Sequence, residues 1–337
     1  MSAVTSSKAH GWGFIGASTI AREHMVAAVR AQPAHEVIGI ASGSPDRAKA
    51  FATELGIARA YNDVASLLAD PAVQSVYISS VNEQHCEQAL AAIAAGKNVL
   101  CEKPLATRAE DALRMIEAAR DAGVVFATNH HLRNAASHRK IRELIRGGAI
   151  GRPLYARIFH AIYLRPLVQG WRITEPVGGG VILDIGVHAV DVLRFALDAE
   201  PMEVVGLTQQ GPLSRNGVAD GVMAVVRMDN GVLAQVHAAY TVPYAGTGFE
   251  IHGDKGSIVG SGLMTVQPAG EVRLRDADGE RLVPLEHEGL YSTGVRHFCE
   301  AVAGHGQVAA SGFDGLRSLQ VALALAEACA DGSIKRA

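Results

Sequence analysis

The sequence predicts an α/β protein in two parts: a doubly wound domain on a parallel sheet, then an α+β domain with a large, open, mostly antiparallel sheet. Three observations carry this. Up to residue 128, short apolar runs alternate with Ala- and Leu-rich stretches of helical spacing, the pattern of strands covered on both faces by helices. Beyond it, strand-like segments follow one another through short turns, as antiparallel neighbours do. The chain has 337 residues, roughly two domains at about 150 residues each. The expected domains are 1–128 and 129–337.

In the first part the apolar runs lie at 12–16, 37–41, 75–79, 98–101 and 124–128, with helical spacing at 86–95 and 109–119. Ser44-Pro45 reads as an N-cap followed by a proline at the first helical position. Thr107-Arg108-Ala109-Glu110 has the spacing of a capping box. Gly96 and Gly123 each follow an Ala-rich helix, where a left-handed residue closes the last turn.

In the second part, 134–146 reads as a helix stopped by Gly147-Gly148. Strands are expected at 154–163, 202–209, 221–228, 231–240 and 248–253, and helices at 188–197, 294–303 and 315–330. Asp229-Asn230-Gly231 is a hairpin signal, because Asn-Gly supplies positive φ at low cost. Gly178-Gly179-Gly180 reads as a flexible loop.

Composition narrows the function. Lys plus Arg number 31 against 34 Asp plus Glu, a net charge of −3, which argues against a nucleic-acid binder with its concentrated cationic surface. Aromatic residues, at 5%, are too few for an aromatic-lined peptide or single-strand surface. Cys86, Cys101, Cys299 and Cys329 form no C-x-x-C pair and read as buried free thiols. Residues 1–10 lack the apolar centre of an export signal, and no run of about 18 apolar residues marks a membrane span. The cytoplasm is the expected compartment.

Chemistry-bearing residues gather at the ends of the predicted strands. Gly16-Ala17-Ser18-Thr19-Ile20-Ala21 follows the first strand and opens a helix, the setting of a dinucleotide motif G-x-G-x-x-G/A, with Ser18 in place of the middle glycine. Such a helix N-terminus offers N–H groups and a positive dipole end to a pyrophosphate. The second strand ends in Ser42-Gly43, without the acidic residue that holds a ribose 2′-hydroxyl, and Arg47 follows. A guanidinium suits a 2′-phosphate, so NADP is favoured over NAD; a surface Arg paired with Asp46 is the plainer alternative. The fifth strand delivers Glu102-Lys103-Pro104, in which proline restricts Lys103 to an extended conformation or permits a cis bond. Asp184-Ile185-Gly186-Val187-His188 places Asp184 and His188 on one face if helical. This pair suits proton transfer, with His188 as acid or base. It also suits a metal site joined by His130, His131 and His138, or a buried structural pair.

The glycine motif, Glu102-Lys103-Pro104 and the D-x-x-x-H at Asp184 and His188, in this order, resemble the Gfo/Idh/MocA oxidoreductases over essentially the whole chain. Within the family, Gly16 to Arg22, Thr128-Asn129-His130-His131-Leu132-Arg133-Asn134 and Gln169-Gly170-Trp171-Arg172 resemble members that reduce a sugar ketone with NADPH, and Ser18 fits that group. The resemblance implies a Rossmann domain binding NADP(H), a small sugar substrate such as 1,5-anhydro-D-fructose reduced at C2, and no metal. It implies that Lys103, Asp184 and His188 are catalytic. For the cofactor and its cleft it implies Gly16, Ala17, Ser18, Thr19, Ile20, Ser42, Gly43, Arg47, Ser79, Ser80, Val81, Asn82, Glu83, Gln84, Glu102, Lys103, Asn129, Trp171, Arg172 and Tyr291. Read alone, Trp171 is a packing aromatic and Arg172 a surface cation. Family members often pair copies through the open face of the second sheet, so a homo-oligomer is expected; neither a nucleic acid nor a membrane is an expected partner.

Overall fold

The computed structural model describes residues 9–337. The absence of an export signal was read on residues 1–10, of which 1–8 lie outside the described residues. The described residues form two compact units: 9–129 with Tyr291–Phe313, and His130–Leu290 with Asp314–Ala337. The expected second domain, 129–337, therefore gives Tyr291–Phe313 to the first unit.

The first unit holds a six-stranded parallel sheet: β1 (His10–Ile15), β2 (His35–Ala41), β3 (Arg59–Ala60), β4 (Ser75–Ile78), β5 (Asn98–Cys101) and β6 (Phe126–Thr128). Its order, β3-β2-β1-β4-β5-β6, reverses direction between β1 and β4, so the chain winds outward both ways and the crevice at that switch point is a ligand position. Helices α1 (Val26–Arg30), α2 (Pro45–Leu55), α3 (Val64–Ala69), α4 (His85–Ala94) and α5 (Ala109–Ala122) connect the strands. All four residues of β4 are buried, as a strand covered on both faces requires.

Local chemistry explains most boundaries. Ser44 Oγ accepts from the Arg47 N–H at 3.4 Å with Pro45 at the first helical position, and Gly96 and Gly123 sit at φ 70° and 66°. The capping box at Thr107 does not form. Helix α5 starts at Ala109 with Arg108 as its N-cap and no side-chain cap bond, one residue later than the box requires. Glu110 and Asp111 in the first turn meet the helix dipole instead.

The second unit is built on nine strands in the order β14-β13-β12-β11-β7-β10-β9-β8-β15. These are β7 (Pro153–Ala161), β8 (Pro201–Gln209), β9 (Gly221–Met228), β10 (Leu233–Ala239), β11 (Thr247–Gly253), β12 (Gly256–Ser261), β13 (Glu271–Asp276), β14 (Gly279–Val283) and β15 (Lys335–Arg336). Only β7 and β10 pair in parallel. Sequence reading missed β12 to β15, which are Gly-, Ser- or charge-rich, and β14 is exposed at four of its five residues. At the β9–β10 hairpin only Gly231 takes positive φ (87°); Asn230 instead accepts the Val232 N–H on its side chain.

Helices α6 (Ala136–Arg146), α7 (Pro166–Thr174), α8 (Val187–Leu197), α9 (Leu290–Val302) and α10 (Gly312–Asp331) complete the chain. The helix expected over 134–146 starts later, after a 3₁₀ turn at His131–Asn134. Helix α8 buries ten of its eleven residues in the second core. It also carries a charged staple. Buried Arg133 grips Asp191 with Nε and Nη2 at 2.7–3.0 Å and reaches Asp314 of α10 at 3.0 Å. Arg194 makes a two-pronged contact with Glu200 at 2.7 and 2.9 Å.

Removing one partner of such a buried pair strands the other charge, at a cost of about 3–5 kcal/mol. Arg133→Leu is expected to lower the denaturation midpoint of the second unit, with about this loss in a urea titration; a loss below about 1 kcal/mol would show the staple to be dispensable.

Candidate functional site

Each unit presents its own set of candidate side chains. In the first, a backbone that only glycine allows follows β1. Gly16 has φ +103°, and a Cβ there would stand 2.7 Å from backbone atoms of Ser79 and Ser80. The hydroxyl chain that closes this turn accounts for Ser18. The Ala21 N–H donates to Ser18 Oγ (3.0 Å), Ser18 Oγ donates to Ser79 Oγ (2.8 Å), and Ser79 Oγ donates to the Gly16 carbonyl (3.3 Å). Ser18 thus turns its side chain back on the turn. Ala17, Ser18, Thr19 and Ile20 are half-buried at the start of the helix, where backbone N–H groups lack intrahelical partners.

Ser42 and Gly43 follow β2, and the Arg47 guanidinium folds back so that Nη2 lies 3.5 Å from where a Gly43 Cβ would stand. Ser79, Ser80, Val81, Asn82, Glu83 and Gln84 form the segment after β4 that runs through a 3₁₀ turn into α4. Glu102, after β5, accepts from the Tyr77 hydroxyl and from Asn129 Nδ2, each at 2.6 Å. Burial raises its carboxyl above the usual carboxylate range. The Lys103-Pro104 peptide is cis. Tyr291, the second residue of α9, stacks on His24 with ring centroids 4.6 Å apart, and burial followed by the Glu102 charge pushes its phenol well up. Tyr77 and His24 were missed by sequence reading, because single aromatic and imidazole residues on a strand or helix carry no spacing signal.

The glycine turn, the open strand ends and an arginine beside Gly43 form a cradle that fits a dinucleotide. Ala17 to Ile20 would meet the pyrophosphate, and Ser42, Gly43 and Arg47 the adenosine end.

In the second unit Asp184 is the centre. Its Oδ2 accepts from Arg172 Nε at 3.1 Å and lies 3.0 Å from the Tyr240 hydroxyl. Arg172 is therefore a held side chain rather than a loose surface cation, and its guanidinium lies 4.5 Å over the Trp171 ring. Burial, then the Asp184 charge, pushes the Tyr240 phenol well up, so it stays a proton donor to the carboxylate. Asp184 sits in a π-helical turn (Ile182–Gly186) that widens the backbone ahead of α8, so the regular α-helical spacing expected for Asp184 and His188 does not apply. Gly178-Gly179-Gly180, expected to be a flexible loop, has a packing reason: a Cβ at Gly179 would stand 2.3 Å from the Glu175 carbonyl oxygen.

His188, on α8, is surrounded by rings: His131 at 4.8 Å and His130 and His160 at 6.4 Å between centroids. Burial pushes His130 down to about 4 despite Asp191 Oδ2 3.7 Å away, so this is a neutral imidazole against a carboxylate, not an ion pair. His138 is likewise pushed down to about 4 by burial. Among the described residues no three His, Cys, Asp or Glu side chains are grouped to hold a metal ion. All four cysteines are free, but only Cys86 and Cys101 are buried; Cys299 and Cys329 are partly exposed, against the expectation for buried thiols.

These histidines set a pH dependence. His85, His130 and His138 lie near 4 in the fold and take up protons near 6.5 when unfolded. Between those values the unfolded chain binds more protons, so stability is full above about pH 6.5 and falls as pH drops toward 4. Each group contributes up to about 1.4 kcal/mol per pH unit, while the raised Glu102 pulls the other way. Urea unfolding is expected to show stability falling steadily from pH 6.5 to 4.5; a flat profile would contradict the buried neutral rings.

Residues 10–130 match the oxidoreductase family described as having an NAD-binding Rossmann fold, and residues 138–259 match the GFO/IDH/MocA C-terminal domain. A relative from Ensifer adhaerens named 1,5-anhydro-D-fructose reductase is 53% identical over 95% of this chain and 96% of its own length. The aldose-aldose oxidoreductase of Caulobacter crescentus, solved with glycerol, shares the fold at a TM-score of 0.89 and 22% identity over 98% of this chain and all of its own. A 3-ketoreductase from Actinomadura kijaniata, solved with TDP-benzene and NADP, aligns at a TM-score of 0.82 and 26% identity over 94% of this chain and 97% of its own. No helix of the described residues is long and apolar enough to cross a membrane. With both domains matched in order and a relative more than half identical over nearly its full length, this chain belongs to the Gfo/Idh/MocA family of oxidoreductases.

Proposed function

We propose that this protein reduces the C2 ketone of 1,5-anhydro-D-fructose to 1,5-anhydro-D-mannitol with NADPH. The observation that carries the reading is the 53% identity to a 1,5-anhydro-D-fructose reductase across 95% of the chain. Lys103, Asp184 and His188 supply the chemistry it needs. Bound NADPH supplies the hydride, with its electron pair, to C2. Negative charge then develops on the carbonyl oxygen. In this reading the Lys103 ammonium stabilises that charge, and His188 delivers the proton that completes the alcohol. Asp184, fixed by Arg172 and Tyr240, orients His188 or grips a neighbouring hydroxyl of the sugar. NADP rather than NAD is supported by Ser42 where an acidic residue would stand and by Arg47 folded over Gly43. A cytoplasmic setting accords with four free cysteines.

Spectrophotometry with NADPH and NADH against 1,5-anhydro-D-fructose and a panel of aldoses, ketoses and inositols tests the reading. Turnover is expected with NADPH and 1,5-anhydro-D-fructose, and Lys103→Ala or His188→Ala is expected to lose about 10²–10⁴-fold in kcat with NADPH affinity retained. Arg47→Ala should weaken NADPH and spare NADH. Preference for an inositol would reassign the substrate, and unchanged kcat in both variants would sink the mechanism.

The same reading includes a pair of copies joined through the second sheet. Its open face aligns Leu207, Met223, His237 and Phe159 across β8, β9, β10 and β7, with Val205 and Val225 in the next row. Leu207 is 74% exposed and Met223 52%, an apolar band that a second copy would cover. Light scattering is expected to give a dimer that Leu207→Asp with Met223→Asp converts to monomers; a monomeric parent protein would contradict it.

A further inference from the structure

His85 is an imidazole that the proposed mechanism does not use. It is fully buried at the start of α4. Its Nδ1 lies 2.9 Å from the Pro104 carbonyl oxygen and its Nε2 lies 3.2 Å from that of Ser80. One ring thus bridges the segment after β4 and the segment after β5. Burial pushes its pKa down to about 4, against the pull of both carbonyls, so the ring is neutral with a single N–H. It can donate to one carbonyl only, and the shorter contact is the one to Pro104.

The other flank of the β5 segment is also pinned. Glu102 accepts from Tyr77 and Asn129, each at 2.6 Å. Lys103 therefore lies between two residues held by hydrogen bonds, Glu102 through its side chain and Pro104 through its backbone carbonyl.

We propose that His85 is a positioning residue for Lys103: its Nδ1–H holds the Pro104 carbonyl and thereby fixes the backbone that carries the ammonium. The inference rests on the reading of Lys103 as the group that stabilises charge on the carbonyl oxygen. It separates His85 from general packing, because the effect must pass through one hydrogen bond and one lysine. Asparagine places an amide N–H near the Nδ1 position and keeps the bond to Pro104. Glutamine places one near Nε2 and keeps only the contact to Ser80.

The test uses the full chain, with His85→Asn, His85→Gln and His85→Leu each made alone and with Lys103→Ala. Readouts are kcat and KM for the ketone, NADPH affinity by fluorescence and the thermal midpoint. His85→Gln and His85→Leu are expected to lose about 10²-fold in kcat, the scale of a misplaced catalytic group, with NADPH affinity unchanged within about two-fold. His85→Asn is expected to stay within about five-fold of the parent, and none of the three should add a loss on top of Lys103→Ala. Equal losses in Asn and Gln, a full additional loss in the Lys103→Ala background, or an undiminished His85→Leu would overturn the proposal. Should His85→Leu fail to fold, the Asn and Gln pair decides. A parent protein inactive with NADPH and every sugar would sink the underlying reading; an active parent indifferent to His85 would sink this inference alone.

Discussion

The second unit depends on the buried contact between Arg133 and Asp191. Arg133 belongs to the 3₁₀ turn His131–Asn134 and Asp191 to α8, one turn beyond His188. The guanidinium also reaches Asp314 of α10, so three segments distant in sequence meet at one cation. This contact holds the turn carrying His131 against the helix carrying His188, whose rings stand 4.8 Å apart. Its net worth in stability is modest, since desolvation offsets most of the attraction. What it gives is a specific arrangement: α8 cannot slide along the sheet without breaking the Arg133 contacts to Asp191.

A different constraint governs the first unit, and it is steric. At Gly16 the backbone of β1 comes so near the segment after β4 that no side chain fits, and positive φ turns the chain toward its helix. Three hydroxyl and carbonyl groups then close the turn through Ser18 and Ser79. A serine at the middle motif position is compatible with a dinucleotide because its polar atom is consumed within the turn. The same unit buries Glu102 against Tyr77 and Asn129, a polar group kept satisfied although burial penalises its charge.

Much of this was legible in the sequence, for reasons that differ by region. The parallel sheet announced itself because strands buried on both faces are mostly apolar, as in Ser75–Ile78 and Asn98–Cys101, where three buried residues follow a polar first one. The Ser44-Pro45 cap and the Gly96 and Gly123 stops are local chemistry and were equally readable. The strands toward the β14 edge of the second sheet were not: β12 (GSIVGS) and β14 (GERLV) lack an alternating apolar sequence pattern. Thr107 looked like a cap, but the extended chain ran one residue further. At the site, Asp184 and His188 stood out by spacing, whereas Tyr240, which helps hold Asp184, is a single tyrosine just beyond β10. The partners of a carboxylate come from tertiary packing, which spacing does not record. Arg172 illustrates the same limit, since only the fold reveals that its charge is spent on Asp184.

In the proposed reaction a carbonyl carbon receives its hydrogen from a nicotinamide while this chain's own groups manage the oxygen. Its most direct test is isotopic. The enzyme is supplied with 1,5-anhydro-D-fructose and NADPH carrying deuterium at the transferable C4 position, and the product is examined by NMR and mass spectrometry. One deuterium is expected at C2 of the resulting anhydro-alditol, with the hydroxyl hydrogen exchanging with solvent. A product whose C2 hydrogen comes from water, or a substrate left unreduced, would contradict it.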